Sequence, residues 1–203
     1  MLEEDVPSPI DLKNLKDAQE WEKNTMRRPF RLDFFEAFFT QLSALNNPSL
    51  NVLELGSGPG FLAEYLLSRL PTLKISLLDN SPAMHSLAES RLGKYLDRVE
   101  FIEADFKQPH WNKELGTFDA VITLQAVHEL RHKRYAAEFH KQVRPLLGEN
   151  GVYLFCDHYC GTDAMQNDQL YMSIEEQRQS LAAAGFFYQE ILNKGGRCLY
   201  NAF

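Results

Sequence analysis

Val52-Leu53-Glu54-Leu55-Gly56-Ser57-Gly58-Pro59-Gly60 reads as a short apolar strand that runs into a glycine-rich bend and then into a helix. Glycines at 56 and 58 let the backbone turn sharply and admit a ligand with no Cβ in its way. Pro59 suits a first helical turn, where its missing N–H is not needed. Taken alone, a glycine pair equally fits a plain strand-to-helix turn, so the fold depends on the pattern of the remaining chain.

Short apolar runs recur downstream at Lys74–Leu78, Val99–Ile102, Ala120–Leu124 and Val152–Phe155, with helical stretches at Gly60–Leu70, Pro82–Tyr95 and Arg131–Leu147 between them. Short apolar strands alternating with amphipathic helices predict a parallel sheet covered on both faces. A further helix is expected over Ser173–Ala184. Phe186–Leu192 and Arg197–Phe203 then form two strand-like runs joined by Asn193-Lys194-Gly195-Gly196, a turn too short for anything but an antiparallel hairpin. The reading is a Rossmann-like, doubly wound α/β sheet of about seven strands whose last strand runs against the others.

Upstream lies a helical leader, residues 1–50, expected to pack on the core, residues 51–203, within one structural domain. Asp11–Asn24 has helix formers throughout, with Leu12, Leu15 and Trp21 as apolar positions. Phe30, Phe34, Phe38 and Leu42, with Phe35 and Phe39 alongside, make a wide apolar stripe of helical period.

The 203 residues are 44% hydrophobic and 24% charged, an ordinary globular composition. The net charge of −7 opposes extended contact with nucleic acid or an anionic membrane, since both demand clustered Lys and Arg. No apolar run reaches membrane-spanning length. The acidic opening Met1-Leu2-Glu3-Glu4-Asp5 is unlike a secretory signal, and three cysteines (Cys156, Cys160, Cys198) make no disulfide framework, so a cytoplasmic location is expected.

Spacing sharpens the glycine motif. A dinucleotide fingerprint wants its third glycine at position 61, where Phe61 stands. Asp79 follows Gly56 by 23 residues at the end of the next strand, where a carboxylate can accept from both ribose hydroxyls of a nucleoside. Asp105, in Ala104-Asp105-Phe106, is placed to accept from an adenine amino group while Phe106 packs on the ring. Glu54, Asp79 and Asp105 thus sit at or near the C-terminal ends of successive strands, where open α/β sheets bind ligands.

With Leu77-Leu78-Asp79-Asn80-Ser81, Glu103-Ala104-Asp105-Phe106, Phe118–Ile122 with Gln125-Ala126-Val127-His128, and Val143–Gly151, the chain resembles the class I S-adenosylmethionine-dependent methyltransferases over residues 50–203. The resemblance implies S-adenosylmethionine as cofactor, S-adenosylhomocysteine as product, and methyl transfer to an O, N or C nucleophile. It places Gly56, Ser57 and Gly58 against the methionine part and Glu54 at its ammonium group. It puts Asp79 at the ribose, Asn80 and Met84 beside the adenine, Asp105 and Phe106 at its edge and face, and Gln125 at the methionine moiety.

His128 is the candidate base, because it follows the fourth strand and its ordinary pKa suits proton transfer. His158 and Tyr159, after the fifth strand, and Arg28, in the leader, are candidate acceptor contacts together with His128. Cys156, His158 and Cys160 lack a fourth ligand at a usual spacing, so no metal is expected. The resemblance argues the same way, since the Mg-dependent members need a carboxylate where Gln125 stands. Members that methylate amino nitrogens of DNA bases or of glutamine carry Asn-Pro-Pro-Tyr after the fourth strand, whereas this chain has Leu124-Gln125-Ala126-Val127. A small-molecule acceptor is therefore expected. The competing readings are a protein that binds the cofactor without transferring its methyl, a protein methyltransferase, and an NAD-type oxidoreductase, the last disfavoured by Phe61. Arg131-His132-Lys133-Arg134 reads as an exposed helix face.

Overall fold

A computed structural model describes residues 4–203; Met1–Glu3, with which the acidic opening begins, lie outside the described residues. Seven strands form one sheet: β1 (Asn51–Leu55), β2 (Lys74–Asp79), β3 (Val99–Glu103), β4 (Phe118–Leu124), β5 (Leu147–His158), β6 (Tyr188–Lys194) and β7 (Arg197–Ala202). Their order is β3-β2-β1-β4-β5-β7-β6. Strands β1 to β5 pair in parallel, and β7 runs antiparallel to both β5 and β6, as expected for the last strand. Between β1 and its two flanking neighbours the chain reverses its direction of winding, which opens a crevice at the C-terminal strand ends.

Alternation along the strands divides the core in two. Val52, Ile75, Leu77, Ala120, Ile122 and Leu154 face α2 (Arg31–Ser43) and α3 (Phe61–Arg69), whose Phe34, Phe38, Leu62 and Leu66 are buried against them. Leu53, Leu55, Leu78, Val121, Tyr153 and Phe155 face the other way, against Phe139 and Val143 of α5 (Ala136–Val143) and Leu181 of α6 (Ile174–Ala183). Both faces are covered, which is why the central strands are apolar throughout instead of alternating.

The aromatic stripe of the leader is part of this core. Phe34, Phe35, Phe38 and Leu42 are at most 1% exposed, while Phe30, at the left-handed start of α2, stays 43% exposed. Ahead of it, α1 (Leu15–Thr25) packs Ala18 on Ala83 and Met84 of α4 (Pro82–Leu92), with Leu12 and Trp21 beside them; Leu15 instead faces solvent. The closing hairpin turns on Gly195 and Gly196, with φ of 55° and 73°, the two positive values a tight turn between twisted strands demands.

Three local expectations are corrected. The helix read over Arg131–Leu147 shrinks to α5, because Arg131 takes a left-handed φ of 68° and only short 3-10 turns precede Ala136. Strand β5 begins at Leu147 and runs to His158, with an irregularity where Gly148–Gly151 fold out between the Phe118–Leu147 and Ala120–Val152 pairs. Asp157 and His158 therefore belong to the strand itself. The basic run is not an exposed face either: Arg131 and His132 are buried, and Arg131 anchors the N-terminal segment.

Helix α6 starts with a capping box. Ser173 Oγ accepts from the Glu176 N–H at 3.2 Å, and the Glu176 carboxylate accepts from the Ser173 N–H at 2.8 Å. Ser173→Ala is expected to cost about 1 kcal/mol, read as a lower urea midpoint at unchanged m-value.

Candidate active site

A cleft of about 970 Å³ opens at the C-terminal ends of β1, β2, β4 and β5 and is roofed by residues 5–13 of the leader. The glycine bend forms its floor. Gly56 and Ser57 N–H groups donate to the Leu78 carbonyl at 2.8 and 3.2 Å, tying the bend to the end of β2. Gly56 has a φ of +66°, and a Cβ there would stand 2.3 Å from Ala126 Cβ, so no other residue fits. Gly58 also has positive φ but faces open space, with nothing within 4 Å of a would-be Cβ.

Asp79 holds this bend from the next strand. Its carboxylate accepts from the Gly58 N–H at 2.8 Å and from the Ser81 N–H at 3.0 Å. Burial raises its pKa, and these backbone donors oppose the rise. Each oxygen keeps a lone pair for a further donor. Ser81 caps α4 through the Met84 N–H and donates to the Leu12 carbonyl, which draws the leader over the adjoining wall.

Glu54 is buried on β1, and among the described residues its Oε2 has no hydrogen-bond partner. Burial pushes its pKa up to about 8 although the Arg31 guanidinium pulls the other way; the nearby Asp79 adds to the rise. Arg31, the first residue of α2, is buried as well, its pKa brought down to about 10 by burial and by the neighbouring Arg28. One of its terminal nitrogens donates to Gln125 Oε1 at 3.0 Å, but its Nε finds no partner among the described residues. Ser57 Oγ is a third buried polar atom on this floor without a partner.

The far end of the cleft is built on His128, Asp157, His158 and Tyr171. Asp157, 2% exposed, accepts from the His128 backbone N–H at 2.9 Å and lies 2.7 Å from His128 Nδ1. That contact assigns the proton to Nδ1 and leaves Nε2 as the basic atom. Burial lowers the His128 pKa, but Asp157, helped by Glu129, outweighs it and holds the imidazole above its ordinary value. Burial likewise opposes ionisation of Asp157, yet its contacts with His128 keep its carboxyl below the usual range. His158 behaves oppositely. Burial brings its pKa down to about 4, so it is neutral at physiological pH, and its Nε2 accepts from the Gln125 amide. Tyr171 packs its ring 5.3 Å from that of His128 and 5.9 Å from that of His158. Gln125 joins the two ends of the cleft and sits at a left-handed φ of 59°, a conformation rare outside glycine.

All ten residues read from the sequence as cofactor contacts line this one cleft: Glu54, Gly56, Ser57, Gly58, Asp79, Asn80, Met84, Asp105, Phe106 and Gln125. His128, His158 and Arg28 line it too. Tyr159 does not. Its ring packs against the core cluster and its N–H donates to the Gly196 carbonyl, because β5 ends only at His158 and the chain turns away there. Tyr171 takes that place in the wall. Arg31, Tyr171 and residues 5–13 escaped the sequence reading. The leader is pinned by Arg131, which donates to the Val6 and Pro7 carbonyls at 2.9 and 2.8 Å while Val6 N–H donates back to its carbonyl.

Residues 52–151 match the family model described as "Methyltransferase domain". Those residues carry a methyltransferase domain, and the seven-stranded fold around them is that of the class I S-adenosylmethionine-dependent methyltransferases. A malonyl-[acyl-carrier protein] O-methyltransferase of Paenibacillus sp. is 26% identical over 153 residues, 66% of this chain and 54% of that protein. An O-methyltransferase family protein from Burkholderia thailandensis superimposes with a TM-score of 0.77 at 18% identity, covering 93% of this chain and 60% of its own. The structure of a DhpI–SAH complex gives a TM-score of 0.69 at 22% identity, covering 94% of this chain and 95% of its own. The chain spans between 5% and 54% of the length of the first curated relatives it matches.

The methyltransferase cofactor fits what the cleft presents. It carries an ammonium and a carboxylate on its methionine part, and the floor offers an unpartnered Glu54 oxygen, an unpartnered Arg31 Nε and the amides at the start of α3. Among the described residues no group of three His, Cys, Asp or Glu side chains is arranged to hold a metal, and no helix is long and apolar enough to cross a membrane.

Proposed function

We propose that the protein transfers the methyl group of S-adenosylmethionine to a small-molecule acceptor. The observation that carries the reading is the pairing, in one cleft, of a cofactor floor with unsatisfied Glu54 and Arg31 atoms and a distal end bearing the Asp157-held His128. S-adenosylmethionine, when bound, supplies a methyl carbon already activated on a sulfonium. The chain has only to hold the partners, exclude water and manage a proton. Orientation of that kind is worth about 7–11 kcal/mol of barrier.

Glu54 is assigned to the ammonium, Arg31 with the α3 amides to the carboxylate, and Asp79 to the ribose hydroxyls. Asn80, Met84, Asp105 and Phe106 enclose the adenine. Gln125, fixed by Arg31 and His158, lies against the methionine part. Residues 5–13 close the roof, and His128 Nε2 takes the proton of an acceptor hydroxyl, amine or acidic carbon. The acidic chain suits a small acceptor better than nucleic acid, and its free thiols suit the cytoplasm. The test is transfer of labelled methyl from S-adenosylmethionine to a panel of small hydroxy, amino and activated-methylene compounds. Labelled small-molecule product supports the reading; label appearing only on protein, or nowhere, contradicts it.

Glu54 provides a test that needs no acceptor. With a pKa of about 8 it is mostly protonated at pH 7 in the free protein, whereas the cofactor ammonium favours its anion. Binding of S-adenosylhomocysteine at pH 7 should therefore release a proton, and affinity should rise with pH until about pH 8. Calorimetry in buffers of different protonation heat reads the proton directly. Glu54→Gln should bind more weakly with no proton released; an unchanged proton count in that variant contradicts the assignment.

A further inference from the structure

The cleft and the layer behind its wall hold more positive charge than the cofactor accounts for. Arg28, Arg31 and Arg197 lie close enough that Arg28 lowers the pKa of each of the other two, and all three are depressed chiefly by burial. The carboxylates facing them do not offset this charge. Burial keeps Glu54 largely protonated, and Asp157 is committed to His128. Arg197 does not line the cleft and is held by the Pro29 and Gly195 carbonyls, and Arg31 is anchored to Gln125.

Arg28 is different. It lines the cleft, its guanidinium stacks 5.1 Å over the Trp21 ring, and among the described residues it has neither a carboxylate partner nor a hydrogen-bond acceptor. Tyr171 and His158, whose rings contact that of His128, both sense its charge, so from its seat on Trp21, beside Met84, it lies within electrostatic reach of the His128 end. A partly desolvated guanidinium without an anion is costly unless a ligand supplies one, and its planar fork matches a carboxylate.

We infer that the acceptor is a carboxylic acid whose carboxylate seats on Arg28. This rests on the methyl-transfer reading and narrows its substrate class. The carboxylate is the anchor and not the methylated group. It is already ionised at neutral pH and would leave the Asp157-held base idle, and its lone pairs are engaged by the guanidinium. The acceptor is thus a two-point ligand, an acid with a second, protic group at His128.

The test compares matched pairs, salicylate with salicylamide, 4-hydroxybenzoate with 4-hydroxybenzamide, and mandelate with mandelamide, for binding to protein saturated with S-adenosylhomocysteine. Saturation with S-adenosylhomocysteine is checked first on the same samples. Its failure overturns the cofactor reading and this one with it, whereas saturation without acid preference overturns the acid assignment alone. The expected result is that at least one acid binds tenfold or more tightly than its amide. Arg28→Ala should abolish that preference with S-adenosylhomocysteine affinity unchanged, and Arg28→Lys should retain part of it. Equal binding of acids and amides, no binding of any acid, or weakened S-adenosylhomocysteine binding in Arg28→Ala each overturns the inference. Turnover of any acid to its methyl ester would overturn the anchor role.

Discussion

His128→Ala is expected to lower kcat by about 10²-fold or more while leaving S-adenosylhomocysteine affinity intact, the size of effect that removing a positioned base produces. Nε2 is its only basic atom, since Nδ1 faces Asp157 at 2.7 Å. The raised pKa sets the sign of the pH dependence. The base works in its neutral form, so kcat/KM should fall as pH drops through a value above the ordinary histidine pKa. Asp157→Asn removes the charge that favours the imidazolium, so that limb should move to lower pH. Its amide can also present an N–H to Nδ1, which disfavours the working tautomer and lowers kcat. A loss below threefold in His128→Ala with an unaltered pH profile would remove His128 from the reaction.

Asp79→Ala is expected to weaken S-adenosylhomocysteine binding by at least 10²-fold, enough to erase its stabilising effect at micromolar concentrations. Hydrogen bonds to a charged group contribute about 1.5–3 kcal/mol each, and two ribose hydroxyls are assigned to this carboxylate. The same substitution strips the Gly58 and Ser81 N–H groups of their acceptor, so the free protein should also lose about 1–3 kcal/mol. Asp79→Asn separates the two effects. Its carbonyl oxygen can still accept one backbone bond, so stability should recover further than affinity. Wild-type affinity in Asp79→Ala, measured by titration calorimetry, would contradict the ribose assignment.

The cofactor half of the cleft was legible in the sequence because strand ends set it. A residue at or just after the end of a parallel strand lies in the crevice whatever its neighbours do, so Glu54, Asp79 and Asp105 follow from counting along the chain, whereas Gln125 follows from the family resemblance. Gly56 was legible for a related reason: the bend is local, and its steric demand, the Ala126 Cβ at 2.3 Å, only tightens a requirement the motif already expressed. The distal half depended on where β5 stops. An irregular strand running past its apolar core shifted Asp157 and His158 onto the sheet and turned Tyr159 away.

Arg31 left a signal that went unused. It falls on the apolar stripe of α2, four residues before Phe35, whose ring its guanidinium approaches at 5.3 Å. A charge on a buried stripe has to meet a partner or a ligand. Tyr171 and residues 5–13 left none, because long-range contacts place them; Val6 meets Arg131 across 125 positions. Arg131 itself was read as solvated because its basic neighbours suggested an exposed face, whereas the leader carbonyls bury it.

The central claim is that the cleft is a site for S-adenosylmethionine, and thermal unfolding with S-adenosylhomocysteine against NAD tests it most directly. At 100 times its Kd a ligand adds about 2.7 kcal/mol, which for a chain of this size raises Tm by roughly 5–10 °C. The account predicts a saturable rise of that order with S-adenosylhomocysteine and none with NAD. No rise with S-adenosylhomocysteine, or an equal one with NAD, would contradict it.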